Sequence, residues 1–215
     1  MLLVTGSAGH LGEALLRDAQ AKGIPARGLD QKASAYTDMV GDIADPKVLE
    51  RAFEGVTQVI HTATLHKPHV VTHSRQAFVH TNIEGTLALL EKAAERGVKA
   101  FVHISTTSVF GRAMRPRPGD PAVWVTEGLS PVHKNIYGVT KSAGEDLCQL
   151  MRQRIVSQLE DDGFAPDLVQ AVAGDALSNE RLLSDPLDVK QRIQLLRDLR
   201  NSGQLDAVQA VVQRA

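Results

Sequence analysis

Short apolar runs alternate with amphipathic stretches along the first two-thirds of this chain. Leu2-Leu3-Val4-Thr5 is an apolar run that stops at a glycine-rich turn, which predicts a buried parallel strand. Residues Glu13 to Lys22 then carry helical periodicity. Ala26 to Asp30, Gln58 to Thr62 and Ala100 to Ser105 read as further strands, Ile83 to Arg96 as a long amphipathic helix, and 137–152 as another helix. Repeated β–α units of this kind predict a doubly wound parallel sheet with its ligand at the carboxyl ends of the strands. The pattern changes near residue 152. Beyond it no strand-like run stands out. Leu187, Val189, Ile193, Leu195, Leu196 and Leu199 trace a helical face, with Asp185 as N-cap, Pro186 at the first helical position and Gly203 as a stop. The fold class expected is α/β over residues 1–152, with an all-α appendage over 153–215.

Composition sharpens that division. All eight His, both Tyr, the only Trp and four of the five Phe precede residue 140, whereas 153–215 has Phe164 as its one aromatic and ten acids against seven bases. A tail of that kind argues against a phosphate-binding face. At 215 residues the chain can bury one sizeable α/β core, and its 43% apolar and 23% charged residues are ordinary globular usage. A net charge of −1 calls for neither nucleic acid nor an anionic membrane. The lone Cys148 excludes a disulfide scaffold and a cysteine-built zinc site. No apolar run is long enough to span a bilayer, and the start, MLLVTGSAGHLG, lacks a basic signal-peptide region. A cytoplasmic location is the expectation.

The candidate chemistry begins at Gly6-Ser7-Ala8-Gly9-His10-Leu11-Gly12, between the first strand and the first helix. Gly6 permits the tight turn, Gly9 lets backbone approach a pyrophosphate, and Gly12 lets the helix pack closely, while the helix start offers N–H groups to phosphates. The second strand ends on Asp30, at the distance where a carboxylate would accept from adenosine ribose hydroxyls, which favours NAD over NADP. Further on, Tyr137 and Lys141 stand at i and i+4, on one helix face. A lysine ammonium so placed favours a phenolate that can take a substrate hydroxyl proton as hydride leaves for the nicotinamide. Thr106, at the preceding strand end, would hold the substrate oxygen in line.

These residues resemble the extended short-chain dehydrogenases/reductases, the NAD-dependent epimerase/dehydratase family. The resemblance is carried by TGSAGHLG (Thr5 to Gly12), Asp30, Gly41-Asp42-Ile43, His61-Thr62-Ala63, Thr81-Asn82-Ile83-Glu84-Gly85-Thr86, STTSVFG and YGVTK, in the family's order over residues 1 to about 152. It implies a Rossmann-like sheet, incomplete in this chain, and a sugar or nucleotide-sugar substrate. It implies a catalytic set of Tyr137, Lys141 and Thr106. For NAD it implies a pocket of Gly6, Gly9, His10, Leu11, Gly12, Asp30, Asp42, Ile43, Thr62, Ala63, Asn82, Ser105, Tyr137 and Lys141. Asp42 and Ile43 would flank the adenine, Thr62 and Ala63 the pyrophosphate and ribose, and Asn82 would support the pocket. A homodimer through helices 83–96 and 137–152 is likewise implied.

Two departures refine the expectation. Sugar-nucleotide 4,6-dehydratases carry Asp-Glu after the position of Thr106; this chain has Thr107-Ser108, which leaves epimerase or dehydrogenase chemistry. The later strands and the substrate lobe of the family are not recognisable in 153–215, so turnover would be impaired and a binding module without turnover is an alternative. The tail instead resembles the C-terminal helical region of the bacterial glycyl-tRNA synthetase β subunit, in Gln153-Arg154-Ile155, Asp167 to Val172, Pro186 to Val189 and Leu195 to Leu205. A tRNA-associated protein is therefore a third reading. Finally, His61, His66, His69, His73 and His80 crowd into twenty residues with no carboxylate or cysteine foreseen among them. A polar loop near the substrate, with His66 or His69 within reach of it, is expected there, and no metal site.

Overall fold

The computed structural model describes residues 1–126 and 128–161, and every structural statement below concerns these. Five parallel strands form one sheet in the order β3-β2-β1-β4-β5. They are β1 (Leu2–Thr5), β2 (Ala26–Asp30), β3 (Met39–Val40), β4 (Gln58–His61) and β5 (Ala100–His103). The helices are α1 (His10–Ala21), α2 (Pro46–Ala52), α3 (Arg75–Val79), α4 (Gly85–Arg96) and α5 (Ile136–Asp161). Leu2 pairs with Ala26 on one side and Gln58 on the other, and Gln58 pairs with Ala100, so three strands start level with β1. After β1 the chain winds outward to β2 and β3, then returns past β1 to β4 and β5. The strand order reverses between β1 and β4, and the carboxyl ends diverge there to leave a crevice.

The side-chain alternation of the strands decides which face each helix covers. Leu3, Val59 and Phe101 share one face with Leu49 and Phe53 of the α2 region and with Leu89 and Ala93 of α4. Leu3, Leu49, Phe53, Val59 and Leu89 are each at most 1% exposed, and burying such a side chain stabilises by about 1.5–3 kcal/mol. Val4 and Gly28 lie on the opposite face, where α1 packs Leu16 against Gly28. That row continues to Val102, which is 48% exposed on β5, the outermost strand among the described residues.

The structure departs from the expected elements where local signals are short. Strand β3 has only two residues, and α2 only seven. The start of α2 is nonetheless written in the sequence: the Asp45 side chain accepts from the Lys47 N–H at 2.8 Å, and Pro46 opens the helix. Helix α4 was expected from Ile83; instead α3, a π-turn over His80–Glu84 and α4 form a run from Arg75 to Arg96. Strands β4 and β5 end at His61 and His103, earlier than Thr62 and Ser105. Helix α5 runs past residue 152 to Asp161. The tail beyond 161, including the helical face at Leu187 to Leu199, lies outside the described residues. No described helix is long and apolar enough to cross a membrane.

Candidate functional site

The crevice between β1 and β4 opens into a cavity of about 560 Å³, within the range of small-molecule sites. Its floor is the glycine turn. Gly6 has φ +78°, a conformation that disfavours any side chain, and a Cβ there would lie 2.6 Å from Thr62 Oγ1 and 2.7 Å from the Ala63 nitrogen. A Cβ on Gly12 would lie 2.1 Å from the Gly6 carbonyl oxygen. The turn is thus closed on both sides by backbone, and only glycine fits. Helix α1 begins beside it with Gly9 as N-cap and no side-chain acceptor, so its first-turn N–H groups remain available to an anion.

Asp30 ends β2 at the cavity edge. One carboxylate oxygen accepts from the Ala8 N–H at 3.0 Å and the other from the Lys32 N–H at 2.9 Å. Gly6, Gly9, His10, Leu11, Asp30 and Ile43 line the cavity, as do Thr62, Ala63 and Tyr137. A dinucleotide fits this donor set: a glycine-only turn, a helix start and a carboxylate at the end of the second strand.

Other expected residues stand behind the wall. Asn82 is 2% exposed and fully hydrogen-bonded, its amide donating to the Leu65 carbonyl at 2.9 Å and Thr140 Oγ1 at 3.0 Å. Its oxygen accepts from the Leu65 N–H at 2.8 Å and from Thr64 Oγ1 at 3.0 Å. Asn82 therefore ties the cavity-lining segment after β4 to α5. Asp42 is not among the lining residues; its carboxylate accepts from Gln31 Nε2 at 2.9 Å and meets His80 Nε2 at 3.1 Å. The Ser105 hydroxyl donates to Glu145, outside the cavity lining.

Tyr137 and Lys141 occupy the start of α5, where Asn135 accepts from the Gly138 N–H at 3.1 Å. A Cβ on Gly138 would lie 2.6 Å from the Ser108 carbonyl, so α5 presses on the 3-10 turn Thr107–Val109 that follows β5. Thr106 caps that turn, accepting from the Ser108 N–H at 3.2 Å. Tyr137 is 8% exposed and faces the cavity; Lys141 is 3% exposed. The Lys141 ammonium donates to the Ile104 carbonyl at 2.6 Å and meets His103 Nε2 at 2.9 Å. Burial pulls Lys141 down to about 8, against the opposing pull of Glu145 and Cys148. His103 is pushed down to about 4 by burial and then by the Lys141 charge, so it stays neutral beside the ammonium.

Sequence reasoning missed His103. With Nε2 accepting from Lys141, its proton sits on Nδ1, a buried atom with no hydrogen-bond partner among the described residues. A Cβ on Gly144 would lie 2.9 Å from Nε2, so that glycine makes room for the ring. The available signal was register: His61 and His103 end neighbouring strands as direct partners, with ring centroids 5.2 Å apart.

The histidine tract resolves into three environments. His61 is a core residue between Thr5 Oγ1 at 2.7 Å and Thr86 Oγ1 at 3.0 Å, held well below the ordinary imidazole range by burial. His66, His69 and His73 line the cavity. His80 meets Glu84 at 2.8 Å as well as Asp42, and these two carboxylates raise its pKa, Glu84 first. The expectation that no carboxylate joins the tract is corrected on this point, because the π-turn and the loop after β3 converge there. No three His, Cys, Asp or Glu side chains among the described residues gather as a metal site.

Fold and cavity together define a Rossmann-like α/β protein with a ligand crevice at its topological switch point. Residues 2–157 match the model of the NAD dependent epimerase/dehydratase family, and the chain belongs to that family. Sterol demethylase protein B of Methylococcus capsulatus is 30% identical over 151 residues, covering 66% of this chain and 44% of that protein. Among solved structures, a short-chain dehydrogenase/reductase superfamily protein from Agrobacterium tumefaciens with bound NAD is 32% identical with a TM-score of 0.63, covering 71% of this chain and 45% of its own. The UDP-glucose 4-epimerase of Thermus thermophilus in complex with NAD is 27% identical with a TM-score of 0.60, covering 71% and 51%. The chain thus spans about half the length of these proteins or less. The resemblance of 153–215 to a glycyl-tRNA synthetase β subunit has no support in these comparisons.

Proposed function

We propose that this chain binds NAD in the crevice and supplies the proton-transfer residues of an NAD-dependent epimerase or dehydrogenase acting on a sugar or nucleotide-sugar hydroxyl. The observation that carries the reading is one cavity with the glycine turn and Asp30 at one part of its wall and the buried Tyr137 at another. The UDP-glucose 4-epimerase likeness supports the substrate class.

NAD, which the glycine turn, the start of α1 and Asp30 would hold, would supply a hydride acceptor for the carbon bearing the hydroxyl. Tyr137 takes the hydroxyl proton, and Lys141, one helical turn on, carries a positive charge on the same helix face. His103 and the Ile104 carbonyl fix the ammonium from below. Thr106, outside the cavity lining, uses its oxygen to accept from Ser108, and its own proton would remain for a substrate oxygen. The Asp-Glu pair of 4,6-dehydratases is replaced by Thr107-Ser108 in the 3-10 turn, which favours epimerase or dehydrogenase chemistry over water elimination.

Because the chain spans about half of its solved relatives, a second reading is an NAD-binding module that does not turn over alone. The pair α4 and α5, which pack on each other, is the proposed homodimer surface, to be checked by sedimentation. The decisive experiment is calorimetric titration of NAD into the intact chain and into Asp30→Ala. Binding that weakens in the variant supports the reading; no binding at millimolar NAD sinks it. Reduction of NAD by a nucleotide-sugar, lost in Tyr137→Phe, then separates enzyme from module.

A further inference from the structure

One wall of the cavity is built by the 3-10 helix Lys67–Val71 and its flanks, which set His66, His69 and His73 along the opening. His66 and His69 meet edge-on with centroids 4.4 Å apart, and His69 and His73 at 4.9 Å. The His66 backbone N–H donates to His69 Nδ1 at 3.1 Å, which places the ring proton on Nε2 and makes that atom a donor. His73 Nδ1 is engaged by Thr72 Oγ1 at 2.9 Å. From across the crevice Lys32, in the loop after β2, acts on the same imidazole: burial, then His66, His73 and Lys32, hold His69 below its ordinary pKa. The hydrogen-bonding character of the lining is one-sided among the described residues. Asp30 is its one acid, and both of its oxygens already accept backbone N–H groups; against it stand His10, His66, His69, His73 and Lys32. Lys67 sits on the same 3-10 helix.

A wall that gathers three imidazoles and an ammonium offers an anion several N–H donors from two elements. We propose that His66, His69, His73 and Lys32 form a second diphosphate-binding wall, facing a ligand already held by the glycine turn and helix start. The proposal rests on the dinucleotide reading for the identity of one source; a nucleoside-diphosphate substrate is the other, with the same chemistry. An imidazolium binds phosphate through a charge-assisted hydrogen bond that a neutral ring gives only weakly, so affinity must fall as pH rises through the imidazole range.

The test is calorimetry of NAD, ADP, UDP and adenosine at pH 5.5 and pH 8 with the wild type, His66→Gln/His69→Gln/His73→Gln and Lys32→Gln. In the wild type, diphosphate affinity is expected to fall about tenfold between the two pH values, the worth of one charge-assisted hydrogen bond. In the triple variant it is expected to be weak and flat. Adenosine, without phosphate, controls for the His80–Asp42 pair, whose imidazole lies outside the cavity lining. His-dependent binding of NAD and ADP assigns the wall to the cofactor; His-dependent binding of UDP alone assigns it to the substrate. Wild-type pH dependence retained in the triple variant overturns the proposal, as does equal dependence for adenosine. NAD binding that ignores the histidines sinks the wall and leaves the dinucleotide reading standing. Loss of NAD binding with His-dependent UDP binding does the reverse. His66 and His73 are exposed, so the substitutions spare the core, and Lys32→Gln reads the same wall from another element.

Discussion

The two ends of the cavity are made from different materials. At the glycine turn the site is backbone and empty space: Gly6 and Gly12 are defined by what cannot be added to them, and the free N–H groups belong to the main chain. At the start of α5 it is side chains: Tyr137 lines the cavity, while Lys141 is held by His103 and the Ile104 carbonyl and Thr106 accepts from Ser108. The first end tolerates no added volume. The second tolerates no lost functional group.

The largest effect should come from deleting one atom at the side-chain end. Tyr137→Phe keeps the ring and removes the proton acceptor, so turnover should drop by about 10²–10⁴-fold while NAD still binds. A variant that loses both would show that the two ends are not separable.

Next in size is acid sensitivity. His103 folds with its pKa near 4 against an ordinary 6.5, so its contribution is present above pH 6.5 and is lost as pH falls toward 4. Denaturant titrations at pH 7 and pH 4 should differ by about 3 kcal/mol from this group, at 1.36 kcal/mol per pKa unit. His61, also lowered, acts in the same direction. His103→Phe should flatten the profile; an unchanged profile would mean another group governs it.

The backbone end should respond to volume. Gly12→Ala forces a Cβ against the Gly6 carbonyl and should cost about 1–3 kcal/mol of stability together with NAD affinity, read by thermal melts with and without NAD. The smallest effect is a control far from both ends. Arg27 Nη1 donates to the carbonyls of Arg51, Ala52 and Glu54, closing the C-terminus of α2. Arg27→Ala should cost about 1 kcal/mol and leave NAD affinity untouched.

Legibility in the sequence follows the same division. The glycine turn, Asp30 and the four longer strands were readable because each requirement is local: a turn needs glycine, and a buried strand needs a short apolar run. Strand β3 was not, because two residues carry no periodicity. The five histidines read as one tract, since spacing alone cannot tell a strand residue from a loop residue. The sheet took His61 into the core, the 3-10 helix took three rings to the cavity, and the π-turn took His80 to Asp42 and Glu84.

What the sequence determined alone was therefore the order of β and α segments, the glycine-only turn and the i, i+4 placement of Tyr137 and Lys141, all set by contacts within a few residues. Tertiary structure decided what lies beneath and across. His103 comes under Lys141 through the crossing of α5 over the end of β5, and Asn82 joins the loop after β4 to Thr140 across fifty-eight positions. Lys32 reaches the electrostatic neighbourhood of His69 from the other side of the crevice. Such pairings depend on register and helix crossing, which arise only when distant segments share one core.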